Sequence, residues 1–296
     1  MPMRFGVSPI AWANDDMPEL GAGTQVETIL DDAAAIGFAG VELGGRFPRE
    51  AAALSAMLVR RRLKLIGGWW SLRLLERSAE DEAAAFGAHL GLLKVMGSPV
   101  FIAAECARAV HGERATPLEA APRLAELDWP AFCERLSDVA RRVAQAGLRF
   151  AYHFHLGTVV ERSEDLDRLI ATTPDDVGLV IDTGHAALAG IDAATLVRRH
   201  PRRIAHVHAK DVRRRVFDDI RPRGRSFLDG VLAGVFTAPG DGDLDFAPVM
   251  QALADVHYRG WIVVEAEQDP AKAEPATYAR LGCGNLRRFM GEVGLQ

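Results

Sequence analysis

GLVIDTGH (178–185), RIAHVHAKD (203–211) and WIVVEAEQ (261–268) decide the fold. Each is a short β-branched run that leads into an acid or a histidine: Asp182, His208 and Glu265. Runs of this kind, without steady polar alternation, read as strands buried on both faces, as in a parallel sheet. Working outward, similar runs stand at 4–8, 40–43, 64–67, 100–103 and 149–153, beside those at 178–182, 204–208 and 261–265.

Between the strands lie helical patterns at 24–36, 48–61, 81–96, 129–146, 163–171, 193–200 and 275–293. Thr24 with Glu27 reads as a capping box, and Asp245 before FAPVMQALADV (246–256) reads as an N-cap. Strand and helix in alternation imply a parallel sheet with helices outside it. Eight such units favour closure into a single (β/α)8 TIM barrel over 1–296; an open doubly wound sheet is the runner-up. Two stretches, 106–127 and 212–243, read as irregular, and both follow strands on the side where barrel active sites sit.

The chain of 296 residues carries 35 Lys+Arg against 40 Asp+Glu, a net charge of −5, with mean hydropathy near zero. That balance argues against a nucleic-acid-binding protein, which needs a basic stripe. No apolar run approaches the roughly 18 residues of a membrane span. The N-terminus lacks a signal-peptide core. Three cysteines without a C-x-x-C pair read as reduced thiols in a cytoplasmic protein.

Ligand-type side chains collect at the ends of consecutive strands. They are His153 and His155, Asp182 and His185, His206 and His208, and Glu265 and Glu267. Alternate residues on a strand share a face, so one member of each strand pair can reach a common centre. Two imidazoles with two carboxylates suit a divalent metal, Mn²⁺ or Co²⁺ before Mg²⁺. A lone strand-end histidine is more often structural; four consecutive strands ending this way argue for a metal site. His153 and His155 compete for the fourth ligand position beside Asp182, His208 and Glu265.

Other segments carry weaker signals. Trp12, Asn14, Asp15 and Asp16 follow the first strand and could wall a pocket; plain packing is the alternative for Trp12 and for Trp69–Trp70. Glu42 ends the second strand and reads as a hydroxyl contact or a structural hydrogen bond. GDGDLD (240–245) lacks the GK[ST] of a phosphate loop and reads as a turn into a helix. RRRVFDDIRPRGR (213–225) reads as a solvated loop, with an active-site cover as the sharper alternative.

At these residues the chain resembles the xylose-isomerase-like TIM-barrel superfamily and, within it, the inosose dehydratases. The segments that carry the likeness are SPIAWANDD (8–16), GFAGVELGGRFPRE (37–50), GGWWSLRLLERS (67–78), YHFHLGTVVE (152–161), DTGHAALAG (182–190), RIAHVHAKDVR (203–213), GVFTAPGDGDLDF (234–246) and GWIVVEAEQDP (260–270). They span the chain.

The resemblance implies metal ligands at His153, Asp182, His208 and Glu265. His153 stands where isomerases and epimerases of the superfamily carry a proton-moving glutamate, which argues against plain isomerisation. It implies dehydration of scyllo-inosose, a keto-cyclitol, to a trihydroxycyclohexane-1,2-dione. The chemistry needs a general base for the α-proton and a general acid for the leaving hydroxyl. His155, Lys210 and Glu267 are the candidates for moving protons and stabilising charge; Trp12, Asn14, Glu42 and His185 are the candidates for substrate contact. A local ion pair between Lys210 and Asp211 is the bland alternative. The likeness also associates glutathione with the reaction and leaves homo-oligomerisation open. A sugar isomerase or epimerase, a DNA-repair endonuclease and a non-catalytic sugar-binding protein are the competing readings.

Overall fold

The structure, a computed structural model, describes residues 3–294. The expected strands close into a parallel barrel. They are β1 (Arg4–Val7), β2 (Gly40–Leu43), β3 (Lys64–Leu72), β4 (Val100–Glu105), β5 (Arg149–Tyr152), β6 (Gly178–Asp182) and β7 (Ile204–Ala209). Two short strands, β8 (Asp211–Val212) and β9 (Phe236–Thr237), lie outside it, and β10 (Trp261–Val264) completes it in the order β1-β10-β7-β6-β5-β4-β3-β2. Among the described residues no helix is long and apolar enough to cross a membrane.

Alternation fixes what faces inward. Val100, Ile102, Ala151, Val180 and Ala205 form one buried cluster, and Ile66, Trp261 and Val263 another. Both are separate from the larger apolar layer between strands and helices. Ile66 reaches far across the interior because Gly6 and Gly40 lack side chains. A Cβ at Gly6 would stand 2.1 Å from Ile66 Cδ1, and one at Gly40 2.3 Å from its Cγ2. Further along the same inward rows come Glu42, His153, Asp182, His208 and Glu265. The register between β6 and β7 slips between Leu179 and Val180, so that Val180 pairs with His206 and Asp182 with His208.

Several boundaries differ from the sequence reading. β3 runs on to Leu72 because Trp69–Leu72 pair with Ile102–Glu105 of β4. The first long helix is Val26–Ile36 with Gln25 at its N-cap and no side-chain cap, so Thr24 and Glu27 form no capping box. The helix expected at 48–61 is Ala51–Val59, capped by Glu50, whose carboxylate accepts from Ala52 and Ala53 N. Ser78 caps Ala79–Val95 by accepting from Asp81 N. Asp245 accepts from Ala247 N at 3.0 Å, but the N-cap of Ala247–Asp255 is Phe246, one residue later than expected and without a side-chain cap. A helix not expected from the sequence, Thr183–Leu188, starts directly off β6, with Asp182 accepting from His185 N at 2.8 Å.

The stretch 212–243 is not irregular. It holds helices Arg214–Ile220 and Phe227–Ala233. Their apolar sides, with Met17, Leu156, Val212, Val235 and Phe236, make a second core over the barrel mouth. Antiparallel pairing of β8 with β9 brings the two ends of this insert together. Asp211 reinforces the clasp. Its carboxylate accepts from Gly240, Gly242 and Leu244 N at 2.8–3.0 Å. A Cβ at Gly242 would stand 2.4 Å from Val212 O, so the turn closes only on glycine. The GDGDLD amides therefore serve an internal carboxylate. The 106–127 stretch is irregular apart from a single 3-10 turn at Leu118–Ala120.

Candidate active site

The inward side chains at the C-terminal strand ends converge. His153 Nε2 lies 3.4 Å from Asp182 Oδ2, and His208 Nδ1 lies 3.7 Å from that same oxygen and 2.7 Å from Glu265 Oε2. His153, Asp182 and His208 each offer a ligand atom within 4.8 Å of the others. Neither Asp182 Oδ2 nor His208 Nδ1 makes a hydrogen bond, although both are buried. Ligand-type groups gathered this closely around one point, two of their atoms without a hydrogen bond, fit a cation shared between them.

The tautomers agree with this. His153 Nδ1 is 2.8 Å from Phe154 O. A carbonyl only accepts, so Nδ1 carries the proton and Nε2 is bare toward Asp182. His208 Nε2 is 2.9 Å from Glu42 Oε1, and His206 Nε2 is 2.8 Å from the same oxygen. Donation to Glu42 leaves His208 Nδ1 to face Glu265. Burial pushes the Glu42 carboxyl up, but His208 and His206 together outweigh it and hold the group well below the usual carboxylate range. A carboxylate behind a ligating histidine is the usual support of a metal site. The imidazole–carboxylate set suits a divalent ion of the first transition row.

Above this floor is a cavity of about 110 Å³ that opens to solvent. Its walls include Asp15, Asp16, Glu42, Trp69, His111, His153, His155, His208, Glu265 and Glu267, with no arginine or lysine among the lining residues. Trp69 packs edge-on against both His153 and His155 at 5.6 and 6.0 Å between ring centres. Asp15 is held by Gly45 N, which donates to both of its oxygens.

His155 and Glu267 face this cavity from strand extensions. His155 Nδ1 donates to Leu156 O at 2.7 Å, so Nε2 is its free nitrogen. Burial, with neighbouring His185, His111, His153 and Lys210, holds the His155 pKa well below the ordinary histidine value and keeps the ring neutral. Burial raises the Glu267 carboxyl to about 7 against the opposing pull of Lys210. Its Oε1 is buried without a hydrogen bond, and its Oε2 lies 3.4 Å from Lys210 Nζ.

Lys210 stands behind the carboxylates rather than in the cavity wall. Its Nζ is 2.7 Å from Glu265 Oε1 and 3.6 Å from Asp182 Oδ2. Burial opposes its charge, but Glu265, Asp182 and Glu267 more than compensate and raise its pKa. It does not pair with Asp211, which is committed to the clasp.

The remaining candidates are less central. His185 is buried behind the wall, its Nδ1 accepting from Leu156 N and its Nε2 3.2 Å from Lys210 Nζ. Trp12 is buried and donates to Asp32 Oδ2 at 2.9 Å, away from the cavity. Asn14 Oδ1 accepts from Asp16 and Met17 N and shapes the turn. Neither Trp12 nor Asn14 lines the cavity; their neighbours Asp15 and Asp16 do. Trp70 turns outward and donates to Glu82 Oε1 at 2.8 Å, which is packing. The sequence reading passed over His111. Its signal was a histidine inside a long loop after a strand.

Comparison with known proteins agrees with this architecture. A family model described as the xylose isomerase-like TIM barrel matches residues 30–289. The chain is 44% identical over its whole length to the rhizopine catabolism protein MocC of Rhizobium meliloti, covering 91% of that protein. It is 41% identical to the inosose dehydratase of Geobacillus thermodenitrificans, with 98% of each chain covered. It is 40% identical to the inosose dehydratase of Lacticaseibacillus casei, with 94% of each covered. Among solved structures, a xylose isomerase domain protein of Alicyclobacillus acidocaldarius superposes with a TM-score of 0.71 at 20% identity, covering 99% of both chains. That last likeness speaks for the fold alone. With the barrel, its strand-end ligand set and these matches together, the chain belongs to the xylose isomerase-like TIM barrel family.

Proposed function

We propose that this protein is a metal-dependent hydro-lyase that dehydrates scyllo-inosose to the trihydroxycyclohexane-1,2-dione in myo-inositol catabolism. Near-full-length identity to inosose dehydratases supports the reaction. The observation that carries it into the structure is the pairing of one floor with one wall. His153, Asp182, His208 and Glu265 meet at the floor, and His155 and Glu267 face the cavity above them. The closeness of His153 to Asp182 and His208 supports His153 over His155 as the fourth ligand. A divalent ion there, Mn²⁺ or Co²⁺, would supply Lewis acidity to a ketone oxygen and its neighbouring hydroxyl.

The protein's own groups then divide the proton work. Neutral His155, with Nε2 bare, takes the proton α to the ketone. Glu267, protonated for a substantial fraction of the time near neutrality, gives a proton to the hydroxyl leaving the β-carbon, which departs as water. Two groups whose surroundings push them to opposite protonation states make a base and an acid in one site. Lys210 holds Glu265 and Glu267 in place and balances their charge. The carboxylate-rich wall without arginine or lysine suits a neutral polyol and disfavours phosphorylated sugars or nucleic acid. Three free thiols, Cys106, Cys133 and Cys283, suit a cytoplasmic setting. Glutathione and homo-oligomerisation stay part of this reading through the family likeness.

The assay is direct. The purified protein, stripped of metal and reloaded with Mn²⁺ or Co²⁺, should consume scyllo-inosose and generate the ultraviolet absorbance of a conjugated dione. An epimerase would show neither, and a binding protein would retain the ligand without turnover. The identity to the rhizopine catabolism protein favours one second reading, a rhizopine-derived substrate, and the same assay run with rhizopine separates the two.

A further inference from the structure

His111 enters the cavity from the long loop after β4, a strand that contributes none of the proposed metal ligands. Its ring is 8% exposed, lines the cavity, and its Nδ1 is buried without a hydrogen-bond partner. A buried unpaired ring nitrogen is costly unless something else pairs with it. His111 packs 4.8 Å from His155 and 6.4 Å, edge to face, from Phe227 of the insert.

The backbone is built to bring the ring there. Val110 N donates to Gly157 O at 2.8 Å. Gly157 has φ +81°, and a Cβ on it would stand 2.9 Å from His111 N and 3.2 Å from its Cα and Cβ. Only glycine permits that approach. Three residues before the histidine, Arg108 holds φ +68°, a left-handed conformation that a non-glycine residue adopts only at a cost. The loop is tied at its far side as well, with Leu118 N donating to Arg225 O at 3.0 Å.

We infer that His111 is a substrate-binding residue, exchanging a hydrogen bond through Nδ1 with a ring hydroxyl of the bound polyol. Gly157 is the positioning residue that makes this contact available. This rests on the reading of the cavity as a polyol site. It adds a polar contact from the loop after β4 to a cavity whose other named walls come from β2, β3, β5, β7, β10 and the loop after β1. A ring held between His155 and the insert also makes the loop sensitive to the shape of the ligand, so that His111 contributes to specificity.

The test compares the metal-loaded wild type with His111→Phe, His111→Gln and Gly157→Ala. Calorimetry gives the Kd for myo-inositol, kinetics give KM and kcat for scyllo-inosose, and metal content is measured alongside. His111→Phe should weaken myo-inositol binding and raise KM about tenfold or more, the loss expected when a substrate hydroxyl loses its partner, with metal content unchanged. His111→Gln should recover part of the loss. Gly157→Ala, with the imidazole intact but displaced, should reproduce part of it. Unchanged Kd and KM in His111→Phe overturn the inference, as does a loss of metal in step with the loss of binding. A wild type that binds myo-inositol but turns over no scyllo-inosose defeats the proposed reaction and leaves the His111 comparison standing. A wild type that binds no polyol defeats both.

Discussion

His208 Nε2 donates to Glu42 Oε1 across 2.9 Å, from β7 to β2, and this bond turns its other ring nitrogen toward Glu265 and Asp182. His206 donates to the same oxygen, so one carboxylate sets the tautomers of two histidines. Glu42→Gln keeps the shape and halves the acceptor capacity. Metal affinity should fall about 10–100-fold, with the fold intact by circular dichroism. Titration with Mn²⁺ checks this, and an unchanged affinity would remove Glu42 from the metal centre.

Asp182→Asn and Glu265→Gln should each abolish tight binding of the divalent ion, since both carboxylates face His208 Nδ1. In the wild type, metal should raise the unfolding free energy by about 2.7 kcal/mol at a hundredfold excess over Kd. Neither variant should show that gain. Thermal unfolding with chelator and with added metal reads both effects, and equal metal-induced shifts in all three proteins contradict the assignment.

Lys210 offsets the carboxylates when no ion is present, through contacts of 2.7 Å to Glu265, 3.4 Å to Glu267 and 3.6 Å to Asp182. Lys210→Met should cost the metal-free protein about 3–5 kcal/mol, the usual loss when a buried charge network loses one partner. Saturating metal should reduce that cost. Denaturant titrations with and without metal decide the matter, and an equal cost in both refutes the charge-balancing role.

His89, which does not line the cavity, gives a separate pH dependence. Its ring packs against Trp70 and Phe101, and burial lowers its pKa to about 4. A histidine lowered on folding contributes stability above its unfolded value near 6.5 and loses it as pH falls toward 4. The loss amounts to about 3 kcal/mol for a shift of that size. His89→Phe should lack this component, so the stability difference between wild type and variant should change by that amount between pH 7 and pH 4. A difference independent of pH excludes it.

The barrel and its metal-type floor were legible because strand periodicity is local. Asp182, His208 and Glu265 each follow an apolar run, so their positions follow from a few residues on either side. The part played by Glu42 was not legible as a histidine acceptor, since its partners are 164 and 166 residues away. Trp12 and Asn14 misled because nearness in sequence to Asp15 and Asp16 says nothing of which way a turn faces. The insert was hidden by its arginines. Phe217 and Phe227 are buried beneath a run whose charges dominate its composition. His111 depends on Gly157, a contact between two loops that no periodicity announces.

The clasp between β8 and β9 has a consequence for how such barrels diverge. Because Asp211 and the paired strands hold the two ends of the insert together, the segment between them can lengthen, shorten or be exchanged without pulling on β7. Closing the loop is already done, and further residues add little entropic cost. The floor is therefore insulated from changes in the roof. Lineages sharing this arrangement can explore new ligands by editing the insert, while the strand that carries His206 and His208 stays where it is.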